Sequence, residues 1–140
     1  MIADRPPKQH QHHHLELTTD HLEDTFRTIS QQILNLNHLA TAQYQTPLIL
    51  EQTLKSMLQA SAPEQIYGMG IWFDKGQSPH QKYPLYGPYV YYKSNQIVLS
   101  YEWMTENYNF PEQEWFKAIL QGQGQQRCTP PYWDNGLTYV

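Results

Sequence analysis

Apolar residues recur at alternating spacings of four and three from Leu22 through Phe26, Ile29, Ile33, Leu36 and Ala40. That spacing keeps one face of a helix apolar and lies close to a heptad seam. Asp20, with Glu23 three positions on, fits a capping box at the start. The other face carries Gln, Asn, Thr and Arg, so the stripe must lie against a sheet, another helix or a second copy of the chain. Tyr44 to Thr46 interrupts the pattern. Thr46 supplies a cap and Pro47 suits a first helical turn. A second helix therefore runs to about Ala60 with Leu50, Leu54, Met57 and Leu58 facing inward, and Pro63 ends the region.

From Ile66 the pattern changes to that of strands. The stretch QIYGMGIWFD (65–74) reads as a strand with Gly68 and Gly70 on one side, where glycine marks a bulge or a close approach by another backbone. Residues 75–84 form a loop. The stretches YGPYVYYK (86–93) and QIVLSYEW (96–103) read as two strands joined by a turn at Ser94-Asn95. Pro111 opens a short helix carrying Trp115 and Ile119 on one face, with Phe116 and Leu120 beside them. Gly122 and Gly124 stop it. A Gln-rich connector then leads through PPYWD to a last strand at Leu137–Val140. The expected fold is α+β, with a long N-terminal helix packed on an antiparallel sheet over residues 19–140, preceded by a disordered His-rich tail over 1–18.

Composition narrows the function. The chain has 140 residues, which suits one domain, and 39% of them are hydrophobic. Its net charge is -4 and its nine basic residues form no cluster. Phosphate binding depends on such clusters, so no nucleic acid is expected as a partner. One cysteine, Cys128, excludes an internal disulfide. No run of about 18 apolar residues and no signal-peptide pattern is present. Aromatic residues stand out at 14%, with eleven Tyr and four Trp.

Candidate chemistry is sparse. The imidazoles of HQHHH (10–14) are of a type that holds Zn²⁺ or Ni²⁺, but no Cys, Asp or Glu at fixed spacing completes a rigid set. No metal or cofactor is expected. Glu102, Glu106, Glu112 and Glu114 read as a solvated charged stretch, and no nucleophile, base and acid converge, so no enzyme is expected. The aromatic residues offer more. Tyr89, Tyr91, Tyr101 and Trp103 alternate along two strands, so each set points to one face. They form either a packed aromatic surface or the floor of a pocket for a small polar ligand.

The order PEQIYGMGIWFD, YGPYVYYK, EQEWFKAIL and TPPYWDNGLTYV resembles the Cache sensor domains, double-Cache type, found on the extracytoplasmic side of bacterial receptors such as histidine kinases. The resemblance covers about Asp20 to Val140. It implies a PAS-like sheet, signal transduction by ligand sensing, and further strands after Val140. It also implies an anchor and an output domain outside this chain, so the chain is expected to be a fragment of a membrane receptor.

Amino-acid-binding members carry Tyr, four residues, Arg, one residue and Trp-Tyr. Here Tyr108 and Trp115 match, Gln113 stands in the Arg position and Phe116 replaces the second Tyr. Arg clamps a carboxylate bidentately, and Gln has no charge, so the resemblance implies a neutral or cationic small molecule as much as an amino acid. By the same resemblance Tyr108, Gln113, Trp115, Phe116 and Tyr132 line the pocket above the Tyr-rich sheet. Asp134 orients a polar group or caps the turn. The alternative is a structural module that binds nothing and pairs as a homodimer through the Leu22–Ala40 stripe.

Overall fold

A computed structural model describes residues 8–42 and 46–128. Helix α1 spans Lys8–Thr41 and α2 spans Pro47–Ala60. Strands β1 (Gly68–Gly70), β2 (Tyr89–Lys93) and β3 (Gln96–Ser100) form an antiparallel sheet in the order β1-β2-β3. Two short 3₁₀ turns, Glu102–Met104 and Phe110–Glu112, precede helix α3, Glu114–Gln121. The fold class is the expected α+β. Tyr132, Asp134 and the strand expected at 137–140 lie outside the described residues.

The second helix matches its sequence signals. Pro47 stands in its first turn, and Thr46 Oγ1 accepts a hydrogen bond from the Ile49 amide at 3.4 Å. Leu50, Leu54 and Leu58 are fully buried and meet Met69, Val90 and Tyr86 in one core. Burying each leucine contributes about 1.5–3 kcal/mol. The helix lying directly on all three strands is thus α2. Helix α1 adds Ile29, Leu36, Leu39 and Ala40 to the margin of that core. It begins at Lys8, within the stretch expected to be a disordered tail and well before the expected cap at Asp20. No proline or glycine stands between Pro7 and Thr41, so nothing in the sequence stops the helix propagating towards the N-terminus. Among the described residues no helix is long and apolar enough to cross a membrane.

All three strands are shorter than expected, for local reasons. Ile71 and Phe73 donate to Pro88 O and Tyr86 O across from β1. Pro88 has no N–H to return, so the regular ladder stops at Gly70. Strand β3 stops at Ser100, whose Oγ accepts the Glu102 amide at 3.2 Å and turns the chain into a 3₁₀ turn. Ser94 and Asn95 both have positive φ (50° and 62°), the geometry of a two-residue hairpin turn. The turn pairs Lys93 with Gln96 and therefore Tyr89 with Ser100.

A carboxylate is buried within this packing. Glu51 of α2 accepts a hydrogen bond from the Tyr86 hydroxyl at 2.8 Å, and Tyr86 is fully buried. Burial, with Glu51 beside it, raises the Tyr86 hydroxyl far above the ordinary phenol range. Burial of its hydroxyl and the hydrogen bond to Glu51 push Tyr101 up to about 12, although the residue as a whole is 40% exposed. Both phenols are held protonated in the fold relative to an ordinary value of about 10. Their contribution is complete below about pH 10 and is lost as pH rises through the folded-state values. Denaturant midpoints are expected to hold steady up to about pH 10 and to fall steeply towards about pH 12. A midpoint unchanged across that window would contradict the assignment.

Candidate functional site

The sheet has two unlike faces. Met69, Val90, Tyr92, Ile97 and Leu99 turn to α2. The reverse face starts from glycine. At Gly68 a methyl group would collide with the Tyr89 ring, and at Gly70 and Gly87 it would collide with the Trp72 ring. The missing side chains let two aromatic rings come close against the backbone. The close approach expected of another backbone at Gly68 and Gly70 is made by the Val90 and Pro88 carbonyls and also by these rings.

Further rings extend from that bed. Tyr89 stacks on Tyr91 with centroids 5.7 Å apart, and Tyr67 leans on Tyr91 at 5.9 Å. Trp72 lies 5.9 Å from Tyr89 and meets Trp115 of α3 edge-on at 5.3 Å. Trp103 stands perpendicular to both Tyr89 (6.5 Å, 87°) and Tyr108 (4.7 Å, 74°). The Trp115 indole N–H donates to the Tyr108 hydroxyl at 3.1 Å. Each such pair contributes about 0.5–1.5 kcal/mol beyond its buried area. Most of these rings are only half-buried, so the cluster presents a partly open aromatic surface.

Five of the expected site residues meet here: Tyr89, Tyr91, Trp103, Tyr108 and Trp115. Phe116 points into the protein, buried against Phe110 at 5.1 Å, and anchors α3. Gln113 donates its side-chain amide to Tyr108 O at 2.8 Å, so it braces the loop.

Tyr101 does not join them. It stacks on Tyr83 at 5.7 Å and belongs with Glu51 on the α2 side. The hairpin register explains this. Odd positions on β2 share a face with even positions on β3, so Tyr89 and Tyr101 cannot lie on one face. Trp103 reaches the aromatic face only because the chain leaves the strand at Ser100. Trp72 and Tyr67 were not among the expected site residues. The two-residue step Gly68, Gly70, Trp72 is the signal that places Trp72 above the glycine bed.

The odd positions of β2 also place the exposed Lys93 at the hairpin end of this face. Lys117 of α3 pairs with Glu112 at 3.2 Å and Glu114 at 4.0 Å. The cation held over a ring among the described residues is Lys82, on Tyr83 of the opposite face. Glu102, Glu106, Glu112 and Glu114 are exposed. Among the described residues no group of three or more His, Cys, Asp or Glu side chains is placed to hold a metal ion.

Residues 50–139 match the family described as methyl-accepting chemotaxis protein-like, first PDC sensor domain. Nothing matches this chain among curated proteins or among solved structures.

The glycine bed gives a direct prediction. Gly87→Ala should destabilise the fold by about 1–3 kcal/mol, the range for forcing extra volume into a packed site. Urea denaturation measures this. A loss under about 0.5 kcal/mol, the scale of an ordinary surface substitution, would mean that the ring is not seated on Gly87.

Proposed function

The chain belongs to the methyl-accepting chemotaxis protein-like first PDC sensor domains and is a signalling sensor module, and from that premise we propose that its aromatic face binds a small cationic ligand of the amine or quaternary-ammonium type. The carrying observation is the set of steeply crossed ring pairs, Trp103 against Tyr89 and Tyr108, and Trp72 against Trp115. Ring faces carry negative quadrupole potential and attract a cation within about 6 Å, each by about 0.5–2 kcal/mol. The nearby acids Glu112 and Glu114 add field of the same sign. Gln113, with no charge and its amide engaged by Tyr108 O, offers nothing to a carboxylate, which disfavours the amino-acid reading.

Domains of this family typically sit outside the cytoplasm. In this reading the ligand is met on the extracytoplasmic side of a receptor, where it is bound and not transformed. Occupancy of the face shifts α3 and the connector. The connector touches α1 where Gln126 Nε2 donates to Ser30 O at 3.2 Å, a route towards an output domain such as a histidine kinase. Calorimetric titration tests the ligand class. Choline should bind at least about tenfold more tightly than its neutral isostere 3,3-dimethylbutanol, the ratio expected from about 1.4 kcal/mol of cation–π attraction. Equal affinities would remove the cationic reading.

A second reading, pairing of two copies through α1, has its own observation. Leu22 and Phe26, the first two members of the stripe, are more than half exposed, and Ile33 is 39% exposed. Pairing along a heptad-like seam would cover them. Ile33→Glu should convert a dimer seen by sedimentation to monomer without changing choline affinity. A wild-type chain that sediments as a monomer at all concentrations would rule the pairing out.

A further inference from the structure

Trp72 carries an unexplained feature. Its indole Nε1–H is buried and has no hydrogen-bond partner. Buried donors are nearly always paired, and each exception calls for an explanation. The ring cannot turn its N–H to another group without leaving its bed, because Gly70 lies beneath the six-membered ring and Gly87 beneath the five-membered ring. The donor thus has a fixed position on the aromatic face. Its ring lies 5.9 Å from Tyr89 and meets Trp115 edge-on at 5.3 Å, with Nε1 over Gly87. Trp115, by contrast, has its own N–H satisfied by Tyr108.

Resting on the cationic reading above, we propose that the Trp72 indole N–H donates to an oxygen acceptor on the ligand, reached when Trp115 moves aside. The ligand would then be bipolar. A cationic head would lie against the rings of Trp103, Tyr89 and Tyr108, and a carboxylate or carbonyl oxygen would accept from Trp72. One neutral N–H replaces the guanidinium of a carboxylate clamp, so it selects an acceptor without demanding its charge. Trp72 is a specificity-determining residue in this arrangement.

Two probes separate the ends of such a ligand. Glycine betaine has a trimethylammonium head and a carboxylate, and tetramethylammonium has only the head. The intact chain should bind betaine at least about tenfold more tightly than tetramethylammonium. Trp72→Phe, which keeps an aromatic ring and removes the donor, should abolish the preference for betaine over tetramethylammonium. An equal loss of both probes, or no loss of betaine, overturns the role of Trp72. Should the variant fail to fold, indole N–H resonances of the unsubstituted chain give the answer. The Trp72 signal should move downfield with betaine and stay in place with tetramethylammonium, and a stationary signal overturns the proposal. Tetramethylammonium binding without any preference for betaine sinks this inference and leaves the cationic reading intact. If neither probe binds, the cationic reading falls and this inference falls with it.

Discussion

The hairpin register set by Ser94 and Asn95 is the constraint on which the rest of the structure depends. Two consecutive residues with positive φ close the turn and fix Lys93 opposite Gln96. Every later pair follows, so Val90 and Leu99 face α2 while Tyr89 and Ser100 face away. A slip of one residue would turn Val90 outward and drive Tyr89 and Tyr91 into Leu54 and Leu58. The core and the aromatic surface are therefore one decision made at the tip of the hairpin.

That decision divides the aromatic residues into two populations with different physics. On the α2 side the hydroxyls matter. Tyr86 and Tyr101 converge on Glu51 and satisfy a carboxylate that would otherwise be costly to bury. Tyr92 likewise donates to Leu58 O at 3.1 Å, near the end of α2. On the other side the ring faces matter. The rings meet at steep angles and remain partly open to solvent, an arrangement suited to contact with something outside the fold.

Much of this was legible in the residues. Thr46-Pro47 and the Leu50, Leu54, Leu58 spacing gave the second helix its bounds and its inner face. Ser94-Asn95 located the turn, and Trp115 with Tyr108 marked one wall of the candidate site. What was not legible came from two sources. Strand ends were set by Pro88 and by the Ser100 hydroxyl, local effects that override a two-residue rhythm. The placement of Tyr101 needed the pairing partner of each residue, which alternation within one strand does not supply. Counting outward from the two-residue turn would have sent Tyr101 to the Glu51 side. The reach of α1 back to Lys8 was obscured because a polar His-rich tract has no apolar period, although it also contains nothing that breaks a helix.

The bare backbone under Trp72 also has a mechanical meaning. Side chains ordinarily act as padding between a sheet and whatever lies on it, and rotamer changes absorb small displacements. At Gly70 and Gly87 that padding is absent, and the indole fills the space their side chains would take. Met69 and Ile71, the immediate neighbours of Gly70, are buried on the far side among the leucines of α2. A push on the ring is therefore handed through a single rigid thickness of main chain to the core helix, with no compliant layer in which to dissipate.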